Sequence, residues 1–250
     1  MSKVVRTARD DGAPMRVLGL IPARGGSKGV PRKNICMVAG KPLLQYTAEA
    51  ALGAQRLDRV VLSTDDKEIA DVGRRCGVDV PFVRPAALAQ DTTLMLPVVQ
   101  HAIRMLDAAG DHFDAVCLLQ PTNPLRRACD IDDAVAMLER THADSVISFV
   151  EVSDSHPARM TYLTTDGRVI APPFAETVEG QRRQDLPRVY LREGSIYLTR
   201  TPVIMERNSL RGDHCQAIVV SKERACNIDS TFDLFIAEQL LKRELGQGCA

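Results

Sequence analysis

Short, continuously apolar runs that alternate with helical stretches constrain this chain more than any other feature. Val17–Ile21, Arg59–Thr64, Ala115–Leu119 and Ser145–Val150 read as strands, the first and third apolar throughout. Runs of that length and kind suit strands covered on both faces. Between them, Pro42–Gln55 places Leu43, Leu44, Ala48 and Leu52 on neighbouring turns of a helix. Further helices are predicted over Lys67–Arg75, capped by Asp65 or a neighbour and ended by Gly77, over Leu96–Ala109, and over Asp130–Thr141. Val78–Val83 reads as one more strand. This βαβα rhythm predicts an α/β fold with a mostly parallel sheet and helices on both faces. Such sheets bind ligands beyond the carboxyl ends of their strands. The loops after Ile21, Val83 and Leu119 are therefore the places to look.

The rhythm breaks near residue 151. Tyr162–Thr164 and Arg168–Ile170 flank Thr165-Asp166-Gly167, a hairpin signal, and a polar stretch runs from Ala175 to Arg188. We read 1–14 as a polar tail, 15–150 and 189–250 as the main domain, and 151–188 as an inserted arm. Strands at Tyr190–Leu198 and Ala217–Val220 rejoin the sheet. A closing helix spans Thr231–Leu245, with Gly246 beyond it.

Charge and cysteine usage narrow the function classes. Lys+Arg and Asp+Glu are both 32, a formal net charge of zero. A nucleic-acid or anionic-membrane partner calls for a basic excess, so neither is expected. No apolar run approaches the roughly 20 residues of a membrane span, and the first residues lack an apolar signal core. Seven cysteines without a CxxC pair argue against a disulfide framework or a zinc site and fit a reducing cytoplasm. His101, His112, His142, His156 and His214 show no metal-ligand spacing.

Ile21-Pro-Ala-Arg-Gly-Gly-Ser-Lys-Gly-Val-Pro-Arg-Lys-Asn34 leaves the first strand with three glycines, four cations and a serine. Glycines let backbone N–H groups curl around an anion, and Arg24, Lys28, Arg32 and Lys33 supply compensating charge. A triphosphate is the natural guest, although neither a Walker A loop nor GxGxxG can be fitted. A solvated basic turn is the plain alternative, which the loop's position and charge density weaken.

This segment resembles the signature of the acylneuraminate cytidylyltransferases, the CMP-sialic acid synthetase family, and the match recurs from about residue 15 to 240. Arg84-Pro85-Ala86 with Asp91-Thr92 is similar to the family's nucleotide-side segment. Leu119-Gln-Pro-Thr-Asn-Pro-Leu-Arg126 resembles its Leu-Gln-Pro-Thr-Ser-Pro-Leu-Arg loop. Arg192-Glu-Gly-Ser-Ile-Tyr197 resembles a shortened Arg-x-Asn-Gly-x-Ile-Tyr strand, and Asn227-Ile-Asp-Ser230 stands where the family has Asp-Ile-Asp-Thr.

The resemblance implies a three-layer αβα, Rossmann-like nucleotidyltransferase whose arm, 151–188, serves dimerisation. The implied reaction transfers CMP from CTP to the anomeric hydroxyl of a sialic-acid-like 3-deoxy-2-ketoacid sugar. Arg24, Lys28 and Asp229 would be catalytic. Arg24, Gly25, Gly26, Ser27, Lys28, Lys33, Asn34, Arg84, Asp91 and Thr92 would bind CTP. Gln120, Arg183, Arg192 and Tyr197 would face the acidic sugar, a carboxylate calling for a bidentate Arg. Asp229 and Asn227 would hold Mg²⁺ or Mn²⁺, with Asn227 replacing an acid; Asp233 could be recruited, and capping of the last helix is the plain role for Asp229 and Asp233. A phosphonate or other small acid as acceptor, and a nucleotide-binding homologue impaired in turnover, stay open as alternatives. A homodimer is expected.

Overall fold

The computed structural model describes residues 14–152, 155–178 and 180–247. Its elements are β1 (Val17–Pro22), β2 (Met37–Val38), β3 (Lys41–Pro42), α1 (Leu43–Gly53), β4 (Arg59–Ser63), α2 (Lys67–Arg75), α3 (Met95–Ala108) and β5 (Ala115–Leu118). Then follow α4 (Ala128–Thr141), β6 (Ser145–Glu151), β7 (Tyr162–Leu163), β8 (Val169–Ile170), β9 (Tyr190–Arg200), α5 (Thr201–Met205), β10 (Cys215–Val220) and α6 (Thr231–Gln247). The expected tail at 1–14 falls, but for Pro14, outside the described residues.

Six strands form the central sheet in the order β10-β6-β9-β5-β1-β4. Strand β9 runs antiparallel to β5 and β6, and every other pairing is parallel. Alternate β1 side chains point to opposite faces, the period of two that a strand imposes. Ile21 enters a core with Leu44, Leu62, Ile69 and Leu138, from α1, β4, α2 and α4. Leu18 and Leu20 enter another with Val99, Leu106 and Ile204, from α3 and α5. The result is the mostly parallel, three-layer Rossmann-like fold. From β1 the chain passes to β4 on one side and then to β5 on the other. The switch point therefore lies at the carboxyl end of β1, where the Gly-rich loop begins.

Three local expectations need correction. Val78–Val83 does not form a strand: Asp79 makes one parallel bridge to Val61, and Pro81, with no N–H to donate, stands where the ladder would continue. Strand β10 starts at Cys215 rather than Ala217, and α6 runs on through Gly246 to Gln247. Helix α5, opened by Pro202 in its first turn, and the β2–β3 hairpin went unread, being too short to show a period. The expected hairpin at 162–170 is present as β7–β8. No described helix is long and apolar enough to cross a membrane.

Candidate functional site

The site is built where the loop after β1 meets three other segments. Arg24 and Lys28 converge on one carboxylate: Arg24 Nη1 lies 2.6 Å, and Lys28 Nζ 2.8 Å, from the two oxygens of Asp91. Lys28 first, then Arg24, holds the Asp91 carboxyl below its ordinary range. Asp91 and Thr92 are exposed on the loop before α3. The loop's backbone is fixed as well. Asp65 accepts the Gly25 N–H at 3.0 Å, and the Asn34 side-chain amide donates to the Arg24 carbonyl at 2.9 Å. Ser27 is half-buried and Gly26 exposed along the same loop.

The other two cations of the loop are spent on the protein itself. Arg32 binds Asp66 through two bonds and Glu68 through a third, so two carboxylates meet its charge within the chain. Lys33 Nζ donates to the Ile228 carbonyl at 2.7 Å and to Asp229 Oδ1 at 3.2 Å. A Cβ built at Gly29 would overlap the Asp229 carbonyl oxygen, so the loop lies directly against the Asn227–Ser230 segment. Asp229 is thereby brought beside the loop that carries Lys28. Its second oxygen accepts from the Asn227 amide at 2.6 Å. Asp233 instead accepts from the backbones of Asp229 and Ser230 and from the Ser230 hydroxyl, and so takes the capping role at the start of α6.

Arg84 is a wall residue, 3% exposed, with Nε on Ser63 Oγ at 3.0 Å and Nη2 on the Ser63 carbonyl. Burial pulls its guanidinium down to about 10. Asn34 is likewise buried.

A second group lies on β9 and the loop after β5. Arg192 stacks over the Tyr197 ring at 5.8 Å, and burial raises the Tyr197 phenol. Arg126, buried, donates to the carbonyls of Ser195 at 2.6 Å and Gln120 at 2.7 Å and to Thr47 Oγ1 at 3.0 Å. It therefore ties the Gln120 loop to β9. Glu193, also buried, receives the Ser195 N–H at 3.1 Å and the Ser195 hydroxyl. Asn123, with its amide nitrogen turned to the Cys226 carbonyl at 3.0 Å, reaches the other Glu193 oxygen at 3.3 Å. Gln120, Arg192 and Tyr197 thus share a framework. Arg183 does not join them: it lies on the arm and lines a hollow of about 410 Å³ with Glu151, His156, Gln184 and Arg188.

Asp65, Asp66 and Arg126 escaped the sequence reading as parts of the site. Asp65 and Asp66 showed only as caps, a role Asp66 does fill at Ile69 N, 3.0 Å. No local pattern marks a carboxylate that will meet a loop more than thirty residues away.

A model of the family described as cytidylyltransferase matches residues 18–211. A pseudaminic acid cytidylyltransferase from Campylobacter jejuni is 35% identical over 91% of this chain and 97% of its own length. A CMP-N,N'-diacetyllegionaminic acid synthase from Legionella pneumophila is 32% identical over the same shares. Among solved structures, a CMP:2-keto-3-deoxy-manno-octonic acid synthetase complexed with CTP superposes with a TM-score of 0.70. It covers 92% of this chain and 99% of its own at 17% identity, a likeness of fold.

Proposed function

The chain belongs to the cytidylyltransferase family of nucleotidyltransferases, and from that premise we propose that it transfers CMP from CTP to an acidic 3-deoxy-2-ketoacid sugar. Among the sialic-acid-like sugars that the resemblance implies, the relatives' names favour an acceptor of the pseudaminic or legionaminic acid kind. One observation carries the reading: Arg24 and Lys28 close on a single anion, Asp91, at the carboxyl end of β1. A triphosphate brought there meets two converging cations and a loop with its Gly25 and Arg24 backbone already fastened.

In this reading the anomeric hydroxyl attacks the α-phosphorus and gives up its proton to solvent, the new O–P bond forms, and the bond from the α-phosphorus to pyrophosphate breaks. Arg24 and Lys28 face the charge that grows on the leaving pyrophosphate, the dominant form of catalysis in such transfers. The buried Arg84 and Asn34 keep the cradle's rear wall rigid. Gln120, Arg192 and Tyr197 orient the acid, with Arg192 meeting its carboxylate.

Asp229 and Asn227 offer one carboxylate and one amide oxygen, and no group of three His, Cys, Asp or Glu occurs among the described residues. That donor set fits a Mg²⁺ or Mn²⁺ ion that takes most of its ligands from phosphate and water. When bound, such an ion would supply positive charge at the reacting phosphate. Asn227, in place of an acid, favours one second reading, a homologue that binds CTP without turnover.

Pyrophosphate release with CTP and Mg²⁺, across pseudaminic, legionaminic, N-acetylneuraminic and Kdo acids and small phosphonates, decides between them. Turnover with one acid is expected, and Lys28→Ala should lower kcat by at least about 10²-fold. A near-normal rate in that variant refutes the role of Lys28. Silence with every acid, while CTP binds, favours the second reading, and restored turnover in Asn227→Asp would then identify a lost ligand.

A further inference from the structure

Arg32 stands in the left-handed region, at φ 54 and ψ 31, a conformation that a residue with a long side chain seldom holds without restraint. The restraint is visible. Its guanidinium makes two parallel bonds to Asp66, at 2.5 and 3.0 Å, and one to Glu68 at 2.5 Å. Asp66 in turn sits at the other end of the same loop. A Cβ built at Gly25 would lie 2.8 Å from Asp66 Oδ2, so the carboxylate fills the space that any larger residue there would need. The neighbouring Asp65 accepts the Gly25 N–H, and Thr64 Oγ1 accepts the Asp66 N–H at 3.1 Å. Gly25 near the start of the Gly-rich loop and Arg32 near its end are therefore gripped by one short acidic turn between β4 and α2.

We propose that Arg32 and Asp66 are positioning residues that set the span of the Gly-rich loop, and so the spacing of Arg24 and Lys28 for a triphosphate. The inference rests on the CTP reading above. Neither residue needs to touch the nucleotide. Arg32 pulls the loop's end towards α2, Asp66 braces its start at Gly25, and the cradle between them keeps one width. A bidentate guanidinium–carboxylate pair supplies the directionality that such a brace requires.

Two variants separate this role from simple capping of α2. Asp66→Asn keeps a good N-cap for Ile69 and loses the charged pair. Arg32→Met loses the pair from the other side and leaves the cap untouched. In each, the Gly25 amide should exchange its hydrogen at least about 10-fold faster, and the Kd for CTP by calorimetry should rise about 10-fold. The melting temperature should stay within a few degrees, and the double variant should be no worse than either single one, the mark of a coupled pair. Arg32→Lys should recover only part of the loss, since an ammonium cannot make the paired bonds. Unchanged exchange at Gly25, or additive losses in the double variant, would overturn the brace. Wild-type protein that binds CTP no better than both variants would overturn it alone. Wild-type protein that binds no CTP would overturn the functional reading and this role together.

Discussion

One methyl group tests whether the Gly-rich loop and the Asn227–Ser230 segment form a single site. At Gly29 it would occupy the space of the Asp229 carbonyl oxygen, a backbone atom that cannot swing aside as a side chain can. Gly29→Ala should cost about 1–3 kcal/mol, as overpacking does, and should lower kcat by displacing Asp229 from Lys28's neighbourhood. Thermal unfolding and pyrophosphate release check the two parts. Full activity with an unchanged melting temperature would mean that the two segments are not in contact. Asp66 provides a second test through pH. Arg32 holds its carboxyl down to about 2 from an ordinary 3.8, so folding favours the charged form. Its stabilising effect is therefore complete above pH 3.8 and is lost as pH falls from there through 2. In urea titrations, wild type should be more stable than Asp66→Asn at pH 5 to 6, and the gap should close between pH 4 and 2. A gap that stays constant would refute the shift.

At the scale of elements, the loop from Leu119 to Arg126 depends on a side chain that the sequence shows as the end of a motif but without a role. Arg126 satisfies the Ser195 carbonyl on β9 from inside the protein and shares the Gln120 carbonyl with the Asn123 N–H. Burial pulls its guanidinium down to about 10, which still leaves it charged at neutral pH. Arg126→Met fills similar volume but takes the guanidinium away from the Ser195 carbonyl and the Thr47 hydroxyl and weakens the hold on Gln120. A loss of about 3 kcal/mol is expected, roughly 6–12 °C in Tm for a chain this long, with a raised KM for the acid. A wild-type melting curve would show that water replaces the guanidinium. The contrast with the strands is instructive. Val17–Ile21 and Ala115–Leu119 announce themselves because a strand buried on both faces needs apolar residues at every position. The Gly-rich loop is legible for a similar reason: glycines and cations cluster in one stretch of sequence. What the cations do is not legible, because their partners lie far along the chain. Arg32 and Lys33 read as compensating charge for an anion, and the structure adds that they hold Asp66 and Asp229. Arg84 reads as a nucleoside-side residue, and the structure adds its bonds to Ser63. Val78–Val83 reads as a strand by composition, yet the single proline at 81 stands where the ladder would continue.

At the scale of the whole molecule, the described residues of the arm form no buried apolar cluster of their own. Tyr162, Leu163, Val169 and Ile170 are 56, 71, 69 and 50% exposed, and none of the three buried clusters includes a residue of 151–188. A two-stranded hairpin is at best marginal alone in water; its register puts Tyr162 and Ile170 on one face and Leu163 and Val169 on the other, and exposed apolar pairs of this kind mark surfaces for association. Covering such a side chain is worth about 1.5–3 kcal/mol, and two-fold symmetry counts each contact twice. Those gains are of the size needed to offset the roughly 4–15 kcal/mol lost on association. We therefore propose a homodimer joined through the arm, which would carry Arg183 towards the partner's acceptor site. Leu163→Glu with Ile170→Glu should sediment as a monomer, with a main-domain unfolding within about 2 °C of wild type, since the hairpin lies outside its cores. The monomer should bind CTP normally through Arg24 and Lys28, while its KM for the acid rises as it does in Arg183→Ala. A variant that stays dimeric counts against the arm as the joint. A monomer that uses the acid as well as the wild type does counts against Arg183 acting across the interface.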